Sequence, residues 1–119
     1  MPKFEKHDIG WIDTTADTPA DFVMQHHPAS TVPGWERELI GKKLGDYPNR
    51  NHAKSLALEL RRCKTWKLPL YHEIDQVIDG VARHFARLMV PVVDDHETVV
   101  RIYYAVRWLA PQQRVSTEG

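Results

Sequence analysis

Three sets of residues in this chain have the types and spacing to do chemistry. The first is basic: Arg50, Lys54 and Arg61, with Arg62, Lys64 and Lys67 close by and Trp66 at their flank. Cations neutralise phosphates and an aromatic ring stacks on a base, so this set predicts a nucleic-acid or other anion contact. The second is His72, Asp75 and Asp79 at i, i+3 and i+7, one imidazole and two carboxylates suited to zinc, iron or manganese. The third is Val100, Tyr104 and Trp108 with Arg101 and Arg107 alongside. Tyr, Trp and Arg anchor protein interfaces, because each buries a large area and still carries a polar tip.

Each set has a plainer reading beside the chemical one. Sixteen basic and sixteen acidic side chains cancel to zero, but residues 37–67 hold nine basic and three acidic while residues 1–36 hold two basic and six acidic. A basic middle therefore suits a local anionic contact, and it equally suits pairing with the acidic start. A helix–turn–helix on this segment is a poor fit, since the second helix would begin with Glu73 and Asp75 and repel phosphates. For a metal, there is no His-Glu-x-x-His and no Glu-x-x-His pair. Asp94, Asp95, His96 and Glu97 make a second polar group, although Asp94 and Glu97 have the spacing of a helix capping box. The Val100, Tyr104 and Trp108 stripe would be core if its helix lay between two others.

Other reactive residues are isolated. His26, His27, His52 and His84 have no partner in a recognisable spacing, and Cys63, the sole cysteine, rules out an intrachain disulfide and reads as a buried, inert thiol. No Gly-rich phosphate loop or Gly-x-Ser-x-Gly elbow is present, so the residues supply no catalytic signature and imply no cofactor.

Helical periodicity is what would position these groups. Ile74, Val77, Ile78, Val81, Phe85, Leu88 and Met89 fall at i, i+3, i+4 and i+7, predicting a central helix near 69–90 that begins at Pro69 and stops before Pro91. Glu73, Asp75 and Asp79 would oppose the positive end of its dipole, and Arg83 and Arg87 the negative end. A second helix near 50–65 would bury Ala53, Leu56, Leu60 and Cys63. A third near 95–109 would bury Val99, Ile102, Tyr103, Val106 and Leu109 and end at Pro111. Shorter helices are expected near 19–27, capped by Thr18 and opened by Pro19, and near 35–44, closed by Gly45. Residues 1–17 read as an extended arm docked by Trp11 and Ile12, and residues 111–119 as a flexible tail.

The expected fold is thus all-α, a single domain of 119 residues forming a small bundle of about five helices. Its composition, 27% charged and 42% hydrophobic, is ordinary for a globular protein. No run approaches 18 apolar residues and the charged start lacks a signal sequence, so a cytoplasmic protein with no membrane contact is expected. The function expected is non-catalytic binding of another protein, as accessory subunit, adaptor or inhibitor, through Tyr104, Trp108, Arg101, Arg107 and Val100. Self-association is compatible with it. A nucleic-acid contact through the basic helix is the first alternative, and a metal-dependent enzyme at His72, Asp75 and Asp79 the second.

Overall fold

Residues 70–78, 81–93 and 99–108 are crowded with Val, Ile, Phe and Tyr. Such side chains lose rotamer freedom in a helix and pack well on a pleated surface. The computed structural model describes residues 9–26, 40–47, 50–78, 80–109 and 113–114, and in it all three segments are strands. The elements are β1 (Ile9–Asp13), β2 (Val23–His26), α1 (Arg50–Trp66), β3 (Leu70–Ile78), β4 (Val81–Val93), β5 (Val99–Trp108) and β6 (Gln113–Arg114). Short 3-10 turns occupy Pro19–Asp21 and Leu44–Asp46. The strands form one antiparallel sheet in the order β2-β1-β5-β4-β3, with β6 joining β4 at Val81 and Ala82.

The all-α bundle is therefore corrected to a mainly β fold with one long helix among the described residues. The helix expected near 69–90 is the β3–β4 hairpin, paired from Leu70↔Met89 to Ile78↔Val81. That register leaves a two-residue connection at 79 and 80, and Gly80 takes φ +70, as the tight turns matched to strand twist require. Asp-Gly between β-branched residues is a hairpin signal, and here it outranks the apparent 3.6 period. Pro91 does not end a helix. It sits where β3 no longer runs beside β4, a stretch with one neighbouring strand, where a proline is tolerated.

The helix expected near 95–109 is β5, and its supposed capping box closes the β4–β5 hairpin instead. Asp94 Oδ1 accepts hydrogen bonds from the backbone N–H of His96 at 2.9 Å and of Thr98 at 3.0 Å, while Glu97 adopts φ 61. Neither bond of the expected capping box forms: Glu97 N–H goes to the Asp94 carbonyl at 3.0 Å and Asp94 N–H to the Thr98 carbonyl at 2.9 Å. Of the helix near 19–27, only the turn Pro19–Asp21 is helical, and Val23–His26 is a strand. Of the helix near 35–44, residues 35–39 lie outside the described residues and Leu44 begins a 3-10 turn. The arm contains β1, paired to β5 from Ile9↔Ala105 to Asp13↔Arg101. Within the tail, residues 113–114 are strand, and the others lie outside the described residues.

The helix near 50–65 is present as α1, burying Ala53, Leu56, Leu60 and Cys63. These pack with Ile12, Phe85, Met89, Ile102, Tyr104 and Val106 in one core cluster. Strand alternation then assigns the faces. Facing α1 are Arg83, Phe85, Arg87 and Met89 of β4, Ile102, Tyr104, Val106 and Trp108 of β5, and Leu70, His72 and Ile74 of β3. Ala86 and Ala105 are 0% and 6% exposed yet stand outside that cluster, because they lie on the opposite, outer face.

Leu60→Ala is expected to lower unfolding free energy by about 2–5 kcal/mol in urea titration, whereas exposed Leu58→Ala should change it by less than about 0.5 kcal/mol. Gly80→Ala should cost about 1 kcal/mol through its left-handed backbone alone, since nothing lies within 4 Å of the added methyl group.

Candidate functional site

The outer face carries a cluster of half-buried aromatic and charged residues. Trp11 of β1 lies opposite Tyr103 of β5, and Asp13 opposite Arg101. The Trp11 and Tyr103 rings are 6.4 Å apart at 41°, and the Arg101 guanidinium lies 4.3 Å from the Trp11 ring centroid, held by its Nη1 donating to the Tyr103 hydroxyl at 3.3 Å. The arrangement is a tilted ring pair with a guanidinium stacked on the Trp11 ring. Exposed Ile9 and Val90 border it. Farther along, Ala86 separates Arg107 from Glu73 across the β5-β4-β3 ladder, and His84 stands opposite Asp75. The Tyr71 phenol is pushed above its ordinary value, first by desolvation and then by the charge and hydrogen bond of Glu73.

The protein-binding stripe predicted from helical spacing does not survive as one surface. Period 2 sends Arg101 and Arg107 to the outer face and Tyr104 and Trp108 to the inner one. Tyr104 is buried, its hydroxyl donating to Met24 Sδ at 3.0 Å, and Trp108 meets Phe85 edge to face at 5.4 Å. Val100 is half-buried, its carbonyl accepting from Thr14 N–H at 3.1 Å. Trp11 and Tyr103 were missed as site residues. Their signal was Trp11 within an Ile-Gly-Trp-Ile-Asp segment of alternating character, which reads as a strand once period 2 is considered.

The basic set is split as well. Arg50, its Nη1 donating to the Gly45 carbonyl, and Lys54 line a small hollow of about 100 Å³ with Ala20, Leu44 and Ala53. Arg61, Lys64 and Lys67 line another, of about 410 Å³, with Asp17, Pro19 and Phe22. Lys64 already has a structural use: its ammonium donates to the carbonyls of Thr14 at 2.6 Å and Ala16 at 2.8 Å, 5.3 Å from the Phe22 ring. Arg62 pairs with Glu59 at 3.0 Å, and Trp66 is exposed at the end of α1. Of the metal candidates, His72 and Asp75 project from opposite faces of β3, and Asp79 lies outside the described residues.

The inner face holds polar groups that the sequence reading used only as helix charges. Arg83 and Arg87 are both buried on β4. Glu59 of α1 lies near Arg87, with its Oε2 at 3.3 Å from His72 Nε2. Burial pushes the Arg87 guanidinium down to about 10, with Glu59 and Tyr104 opposing that shift only in part.

No family model matches this chain, and no curated protein does. Its structure is similar to that of the PAS domain from Bordetella pertussis BvgS, with a TM-score of 0.60 and 17% sequence identity over 89% of this chain and 79% of that one. The fold is PAS-like. The PAS-like sheet thus presents two chemically distinct faces, one enclosed by α1 and one lined by Trp11, Tyr103 and Arg101. No helix among the described residues is long and apolar enough to cross a membrane.

Cys63 lies on the buried face of α1, and desolvation raises its thiol from 9.0 to about 11. Ellman's reagent should therefore react slowly with the native protein at pH 8 and rapidly after unfolding. The unfolded thiol ionises first, so its linkage favours the unfolded chain as pH rises from 9 towards 11, and that part of the stability is present below 9.

Proposed function

We propose that this chain is a small PAS-like signalling domain that acts by binding another protein, as an adaptor or accessory module, through the outer face of its sheet. The supporting observation is the Trp11, Tyr103 and Arg101 cluster. A ring pair and a guanidinium stacked at 4.3 Å supply rigid area with a charged rim, the composition that concentrates binding energy at interfaces. α1 and the two 3-10 turns it packs against belong to the other side of the sheet. PAS domains as a class are sensor and signalling modules that often work by associating with proteins, which agrees with this reading. Arg101 and Arg107 keep the role expected of them, while Trp11 and Tyr103 take the aromatic part. The nucleic-acid alternative is weakened by the division of the basic residues between two hollows and by the engagement of Lys64 with Thr14 and Ala16.

The test is nuclease-treated capture from the host lysate with wild type, Trp11→Ala, and Arg61→Ala combined with Lys67→Ala. Wild type and the basic-residue variant should retain the same protein, and Trp11→Ala, folded by circular dichroism, should bind it at least about tenfold more weakly. Equal capture by folded Trp11→Ala, or capture that disappears on nuclease treatment, would overturn the reading.

A further inference from the structure

The hollow at the C-terminal end of α1 has a basic wall and an acidic one that do not close on each other. Arg61, Lys64 and Thr65 of α1, with Lys67 just beyond it, line one side. Asp17, Pro19 and Phe22, from the connection between β1 and β2, line the other. The space measures about 410 Å³, and none of its lining residues belongs to a strand of the sheet. Among the described residues, the side chains of Asp17, Arg61 and Lys67 have no ion-pair or hydrogen-bond partner.

Lys64 joins the two walls. Its ammonium donates to the carbonyls of Thr14 at 2.6 Å and Ala16 at 2.8 Å, and Thr14 is itself held by the carbonyls of Val100 and Val99 in β5. An ammonium has three N–H donors, so Lys64 keeps its charge and one donor for the hollow. Lys67 is a second, independent observation. Its N–H bonds the Cys63 carbonyl at 2.9 Å and its φ is 57, a left-handed helix end that glycine adopts freely and an L side chain only under strain. The helix dipole favours a cation at this end, but Lys64 in the last turn already meets that need. What lysine adds over glycine at position 67 is a cation on the hollow.

Three cations against one carboxylate leave two positive charges over, the charge that a phosphomonoester dianion neutralises. Arg61 offers a planar fork of donors and the lysines offer point charges, the set that recognises phosphate oxygens. Ionised Asp17 accepts hydrogen bonds and repels a second anionic group, so the rest of the ligand carries hydroxyl donors instead. Pro19 and Phe22 give it an apolar flank. We propose that this hollow binds a small hydroxylated phosphomonoester, its phosphate on Arg61, Lys64 and Lys67 and its hydroxyls on Asp17. The site is independent of the outer-face contact, and either can stand without the other.

Calorimetric titration of the intact protein with ribose 5-phosphate, inorganic phosphate and ribose at low salt tests this directly. Ribose 5-phosphate should bind with a Kd below about 1 mM, at least about tenfold more tightly than either comparator. Arg61→Ala combined with Lys67→Ala should abolish that binding. Lys67→Gly, which suits the left-handed backbone, should stay folded by circular dichroism and weaken ribose 5-phosphate at least about fivefold. Asp17→Ala should narrow the gap between ribose 5-phosphate and inorganic phosphate, because it removes the hydroxyl acceptor and a like charge together. No binding of ribose 5-phosphate up to about 10 mM, a comparator that binds as tightly, or an unchanged gap in Asp17→Ala would each overturn the proposal. Unchanged affinity in the folded double variant would do the same, and should that variant not fold, unchanged affinity in Lys67→Gly decides against it.

Discussion

Leu56, Leu60 and Cys63 leave water only if α1 lies along the sheet, and that contact is what the rest of the structure depends on. Once α1 covers one face, alternation divides every strand into residues that meet the helix and residues that do not. Lys64 fixes the far end of the helix by donating to Thr14 and Ala16 just beyond β1, so α1 cannot pivot about its apolar stripe without losing two charge-assisted bonds. Thr14 is tied in turn to β5 through its N–H to Val100 and its hydroxyl to Val99. Helix, loop and central strand are thereby joined at one end of the sheet.

The two faces that result differ in an unusual way. Arg83 and Arg87 stand buried on the face toward α1, while Trp11 and Tyr103 stand half-buried on the other. Burying charge is costly, so Arg83 and Arg87 are the exceptions on an otherwise apolar enclosed face.

The mixed composition of both faces explains why the strands are hard to read. In β4 the inner residues Arg83, Phe85, Arg87 and Met89 alternate with Ala82, His84, Ala86, Leu88, Val90 and Val92, so both faces mix apolar and polar types and period 2 is blurred. Ile74, Val77, Ile78, Val81, Phe85, Leu88 and Met89 then align with a helical template by chance across a hairpin turn. β5 has aromatic or aliphatic residues on both sides, which a helix wheel sorts into two stripes as readily as a strand does. Asp94 shows the limit of local chemistry. Its carboxylate accepts backbone N–H bonds in a turn between strands as it would at a helix start, and only the partner strand distinguishes the two.

From the sequence alone came α1, with its boundaries and buried stripe, because helical contacts are local and the 3.6 period of Ala53, Leu56, Leu60 and Cys63 is unbroken. The inert setting of Cys63 followed from that stripe, and the caution over the basic residues from their charge balance. Tertiary structure decided the sheet, whose hydrogen bonds join residues as far apart as Ile9 and Ala105 and leave no local trace when neither face is uniformly polar. It also decided the Trp11 cluster and the surroundings of Arg87. Trp11 meets Arg101, and Arg87 meets His72 and Glu59, only because strands distant in the chain lie side by side beneath one helix.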